Sequence, residues 1–181
     1  MSNPPPASVA RISVTVSPDR LLHPYYGVGG WLAIFIFSIV FVGPAYHVLH
    51  AVQHYADNME LIASSDHPYS LYLFYFGQTA TRFAVYGYGM FAGIQLWRIR
   101  PNAVQHAKQF LIILLGLPVA DFVMGINWFT LIFSEEGRTI ALSSSLDRTV
   151  RAIVRAAIYS AVWYAYLSRS ERIQVTYSKN S

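Results

Sequence analysis

The strongest constraint on this chain is where its charges are absent. Residues 21–56, 67–97, 109–134 and 152–168 contain three formally charged side chains, Arg82, Asp121 and Arg155, and the intervening segments hold the rest of the 13 Lys and Arg and 9 Asp and Glu. An α-helix needs about 20 predominantly apolar residues to cross the hydrocarbon of a bilayer. In that medium every backbone N–H and C=O must be satisfied inside a helix or a closed barrel, and these blocks are too long and too evenly apolar for barrel strands. The expected fold is all-α and integral to a membrane, with four transmembrane helices, about 28–50, 72–97, 109–133 and 146–168, in an antiparallel bundle. Charged residues are 12% of the chain, against roughly 25% in an ordinary globular protein, which excludes a soluble enzyme.

Around the membrane domain, residues 25–168, lie two tails. Residues 1–24 carry Pro4, Pro5, Pro6, Pro18 and Pro24 and read as a flexible, Pro-rich segment; residues 169–181 read as a basic cytoplasmic tail. The first apolar run starts too far into the chain for a secretory signal, so the amino-terminal segment is expected to stay attached. Orientation follows from Lys and Arg placement. With the amino terminus inside, Arg11, Arg20, Arg98, Arg100, Lys108, Arg169, Arg172 and Lys179 are cytoplasmic, and only Arg138, Arg148 and Arg151 are external. Both termini are therefore expected on the cytoplasmic side.

The chain has no cysteine, which removes thiolate metal sites, covalent haem attachment and disulfide chemistry. Its net charge of +4 arises from basic residues beside apolar blocks, a membrane pattern and not a nucleic-acid-binding face.

A charged side chain near the bilayer centre costs about 2.5 to 3.5 kcal/mol on insertion scales, so Arg82, Asp121 and Arg155 need a reason. At 1.5 Å per residue, Asp121 lies about 18 Å from Gln109, Arg155 about 18 Å from Leu167, and Arg82 about 22 Å from Trp97. These depths allow all three to meet, with Asp121 bridging two arginines. Pro118 also frees the carbonyl of Leu114 for a further donor. A buried ion network that fixes helix register is one reading. An anion or headgroup cleft opening toward Arg151 and Arg148 is a second, and a small transporter or proton relay through Asp121 is a third.

His47, His50 and His54 fall at i, i+3 and i+7 on one face if the first helix continues past Pro44, where a kink is expected; Asp57 extends that face. Three imidazoles and a carboxylate suit zinc or copper, although i to i+7 spans about 10 Å of helix axis. Polar residues at a headgroup boundary are the alternative. Gly89 and Gly93, and the stripe Ala157, Ala161 and Ala165, permit close helix approach within the chain or between copies. No nucleophile motif, phosphate loop or paired-carboxylate pattern appears, so neither catalysis nor a cofactor is expected.

The two ends of the domain carry a family signature. The run Gly27-Val-Gly-Gly-Trp31-Leu, four apolar spans and the closing Trp163-x-x-Tyr166-x-x-x-Ser170-x-Arg172-Ile173-x-x-Thr176-Tyr177 resemble domain-of-unknown-function family 2569 over about residues 25–178. Ala165 stands where that family usually has Pro, and Glu171 where it has Lys. Near the second span, where an acid is common in the family, this chain has Gln78, Thr79, Thr81 and Arg82. The resemblance implies a small bacterial inner-membrane protein with four helices and carries no activity. In physical terms the closing motif reads as an interface device. Trp31, Trp163 and Tyr166 are expected at headgroup level, and Ser170, Arg169 and Arg172 beside anionic lipid. The expected role is a non-catalytic accessory or scaffold component, or a binder of its lipid environment. Its expected partners are the bilayer and a membrane protein or second copy; metal handling at the outer end of the first helix is the alternative.

Overall fold

The apolar blocks do become helices, and the helices outrun the blocks. The computed structural model describes residues 27–64, 68–132 and 135–177; the side chains of 54, 57–64, 68, 127–132, 135–141 and 144 lie outside that description, as do both chain ends. Helix α1 (Trp31–Phe37), a π-helical stretch (Ser38–Val42) and α2 (Gly43–Ser64) follow one another as a first rod. Three further elements are long, α3 (Pro68–Trp97), α4 (Ala103–Ile132) and α5 (Glu135–Arg169), and a short α6 (Glu171–Tyr177) closes the described chain. No strand occurs among the described residues. The first rod extends well past the expected boundary at residue 50 and α5 begins well before 146, because polar residues such as Gln53 and Ser145 continue a helix once it has been nucleated.

The disturbance expected at Pro44 takes a specific form. Proline has no N–H and its ring crowds the carbonyl four residues earlier, here Val40. The turn before it widens, and Gly43 N–H donates to Ser38 O, five residues back, as in a π-helix. The Ser38 hydroxyl bonds to Phe35 O at 2.7 Å and pairs with the Tyr159 hydroxyl at 2.8 Å, which ties this widened turn to α5.

The rods pack in chain order, the first on α3, α3 on α4 and α4 on α5. Their close core gathers at one end. Leu32, Phe35, Ile36 and Ile39 of the first rod meet Leu96 of α3, Phe110 and Leu111 of α4, and Leu167 of α5, with Ile173 and Tyr177 of α6 completing the cluster. Small residues set the distances there. A Cβ on Gly89 would stand 2.6 Å from the Phe110 ring, and one on Gly93 would stand 2.5 Å from Val40 Cγ2, so the Gly89/Gly93 face serves packing within the chain. Ala157, Ala161 and Ala165 line an open groove between α5 and α4.

The α3–α4 turn ends its helix with Arg100 N–H on Gln95 O and Ile99 N–H on Leu96 O, a Schellman arrangement. Ile99 takes the left-handed position, at φ 49°, that glycine usually fills.

Among the described residues, two segments are long and apolar enough to cross a membrane, Trp31–Gln53 and Ala103–Ile126. Only 22% of each is buried within the protein, whereas the core helix of a soluble fold is mostly buried. Phe41, Ile94, Ile112 and Ile158, one from each rod, are all exposed on the outer surface.

Candidate functional site

Away from the close core, α2 and α3 part to leave a cavity of about 530 Å³. Its walls come from two rows of side chains. His47, Ala51 and Tyr55 repeat every four residues along α2, and Tyr69, Tyr72, Phe76, Thr79 and Phe83 alternate three and four along α3. Both spacings keep a row on one helical face, and the packing of α2 on α3 turns the two rows toward each other. Nothing singles out the α3 row in composition, but its 3-4 spacing of aromatic residues was a signal available in the sequence that marks this wall.

The inner end of the cavity is polar. Arg82 lines it, and the guanidinium reaches across to α4, where Nε and Nη2 both donate to Asp121 Oδ2 at 3.1 and 2.8 Å. The side chains are 30% and 17% exposed, so the pair is largely out of water and its charge-assisted bonds are correspondingly strong. Asp121 Oδ1 is buried and has no hydrogen-bond partner among the described residues. Beside Arg82, the His47 ring stacks on Tyr86 with centroids 3.8 Å apart, and Tyr86 in turn meets Phe110 edge-on.

Two of the three charges within the apolar blocks therefore meet as their depths suggest, and the third does not. Arg155 is exposed and donates from Nε to the Arg151 carbonyl one turn earlier. At about 100° per residue, it lies roughly a quarter-turn round the helix from the inward row of Ala156, Ser160 and Trp163. Arg151 pairs with Asp147 on the same helix. Asp121 thus bridges one arginine, and the positive surplus expected from two is not assembled around it. Leu111 O, one turn from the Leu114 carbonyl expected to take a donor, receives the Ser160 hydroxyl at 3.0 Å.

Of the histidine face, His47 turns onto Tyr86, and Tyr46 lies against both His47 and the exposed His50. The side chains of His54 and Asp57 lie outside the described residues. Among the described residues no group of three His, Cys, Asp or Glu is gathered as a metal site would require.

The closing motif folds back on the protein. Trp31 is exposed, but Trp163 packs inward on Phe35, with centroids 4.8 Å apart, and meets Tyr166 edge-on. Ser170 marks the junction of α5 and α6, its carbonyl accepting Gln174 N–H. Residues 171–177, expected as part of a basic tail, form α6 with Ile173, Thr176 and Tyr177 buried. Thr176 Oγ1 accepts the Gly27 N–H at 3.2 Å. Arg172 crosses Gly29 so closely that a Cβ there would stand 3.0 Å from Nη1. The glycine-rich opening and the closing motif are two halves of one contact.

The family model described as a protein of unknown function, DUF2569, matches residues 25–178. The chain belongs to the DUF2569 family. Those bounds enclose the whole clasp between Gly27 and Tyr177, so the stretch that defines DUF2569 in this chain is the one held together at its two ends. No match is found among curated proteins or among solved structures.

Proposed function

We propose that this protein is a multi-pass protein of a bacterial inner membrane, with four antiparallel spanning helices and both termini cytoplasmic. It acts there as a non-catalytic accessory component that binds an amphiphile from its lipid surroundings. The cavity between α2 and α3 carries the proposal. Its volume falls within the roughly 300–1,000 Å³ of small-molecule sites, and such sites combine apolar and aromatic walls with a few placed polar groups. Here the aromatic rows supply the walls, and Arg82, Thr79 and Gln78 the polar groups. The two membrane-competent segments, the apolar outward faces and the excess of Lys and Arg on one side support the membrane setting. Arg82 and Asp121 are engaged with each other, which supports a binding rather than an acid–base role.

Purification from native membranes, followed by mass spectrometry of retained amphiphiles, tests this for the wild type and for Ala51→Trp, which fills the cavity from α2. An amphiphile held by the wild type and lost from the variant at unchanged thermal midpoint is the expected result. Equal retention by the two proteins overturns it.

A further inference from the structure

We infer that the cavity takes a neutral, planar, carbonyl-bearing ring on an apolar tail, a quinone-type amphiphile, with its carbonyl oxygen at Arg82. The inference rests on the cavity being a binding site and names what fills it. Charge decides the class of ligand. Arg82 and Asp121 form a pair of net charge zero, Arg82 is the one charged side chain lining the cavity among the described residues, and Arg151 and Arg155 of α5 are engaged within their own helix. An anionic head would leave a buried negative charge unbalanced, and a cationic head would meet the guanidinium that lines the cavity.

Hydrogen bonding decides the polarity. Of the five N–H donors of a guanidinium, Nε–H and one on Nη2 go to Asp121 Oδ2. The remaining donors belong to a side chain that is 30% exposed and forms the cavity's inner end. Donors in a low-dielectric site call for an acceptor. A carbonyl supplies one without carrying charge.

Shape decides the rest. Tyr69, Tyr72, Phe76 and Phe83 present flat faces along one wall, and offset stacking of a planar ring on such faces is favourable. The His47–Tyr86 stack lies beside Arg82, so the ring's carbonyl sits at that end and its apolar tail leaves sideways past the exposed Leu73 and Phe76. Asp121 holds the guanidinium in place and is a positioning residue.

The full chain in detergent micelles, stripped of native lipid, is titrated calorimetrically with decylubiquinone, palmitate and dodecyltrimethylammonium. Decylubiquinone is expected to bind saturably and the two ions at least tenfold more weakly. The near-isosteric, neutral Arg82→Gln/Asp121→Asn variant should weaken decylubiquinone about tenfold, the value of one lost charge-assisted hydrogen bond. Ala51→Trp should abolish binding, with both variants checked for an unchanged melting profile. Preferential binding of palmitate or of the ammonium, lost in Ala51→Trp, overturns the quinone assignment and leaves the cavity a binding site. Decylubiquinone bound equally by all three proteins overturns it as well, because the ring then sits elsewhere. If no probe binds and Ala51→Trp retains the same native amphiphiles as the wild type, the cavity reading itself falls.

Discussion

The Tyr177 hydroxyl donates to the Leu96 carbonyl oxygen at 2.6 Å, joining the end of α6 to the end of α3. That oxygen already accepts the Ile99 N–H of the turn, so one carbonyl holds both the helix terminus and the returning chain. The left-handed position costs an L-residue roughly 1–2 kcal/mol. Ile99 adopts it where its side chain packs against the core cluster and Tyr177 braces the carbonyl three residues before it.

Tyr177→Phe removes that donor and keeps the ring. A typical intramolecular hydrogen bond contributes about 0.5–1.5 kcal/mol, so the thermal midpoint of the solubilised protein should fall by a few degrees. Thr176→Val, which leaves Gly27 N–H without its acceptor, should act in the same direction. Neither should change binding at the α2–α3 cavity, which lies at the other end of the rods.

Asp121→Ala leaves the Arg82 guanidinium partly buried without its counter-charge, and breaking such a pair costs about 3–5 kcal/mol. Adding Arg82→Met should recover part of that loss, a coupling visible in a double-mutant cycle read by thermal or denaturant unfolding. Adding Arg155→Met should give strictly additive losses, since Arg155 is exposed and bonds to its own helix. Recovery with Arg155→Met instead would mean that α5 is rotated from the described position.

Glycine substitutions should divide by location. Gly89→Ala and Gly93→Ala drive a methyl into Phe110 and Val40, and overpacking of this kind costs about 1–3 kcal/mol. Gly87→Ala meets nothing within 4 Å on the same helix and should raise stability by up to about 1 kcal/mol. Melting curves of the three variants side by side give the comparison, and equal effects would contradict the tight α3 interfaces.

Cytoplasmic reporters fused after Ser181 should be active, and reporters inserted near Asn58 should read as external, because a four-span topology puts eight of the Lys and Arg outside the apolar blocks on the side of the termini and three on the other. The opposite pattern would invert the orientation and place the cavity in the cytoplasmic leaflet.

The meeting of Arg82 and Asp121 was legible because depth along a helix follows from counting residues. The failure of Arg155 to join was not, because depth says nothing of rotation about the helix axis, and rotation is fixed by contacts such as Ser38 with Tyr159 that no local pattern announces. The closing motif was visible as a pattern from Trp163 to Tyr177. Its aromatic and basic residues favour a headgroup boundary as readily as a docked helix, and only the partners of Thr176 and Tyr177 on distant residues separate the two. The cavity was half legible, since the aromatic row on α3 is periodic, whereas the parting of α2 from α3 depends on where the core is close-packed.

The widened turn at Ser38–Val42 works as a phase shift. Inward of it, Leu32, Phe35 and Ile36 form the seam that holds the rods together; outward of it, His47, Ala51 and Tyr55 form the wall of the cavity. The wider turn holds the chain beyond it back by about 100°, the angle of one residue, relative to an unbroken α-helix of the same length, so deleting one residue from the stretch would restore ordinary winding with the outer wall still on its present face. The first rod is thus two modules on one axis, joined by a turn that absorbs one extra residue and so lets the seam and the ligand-facing wall each keep its own face.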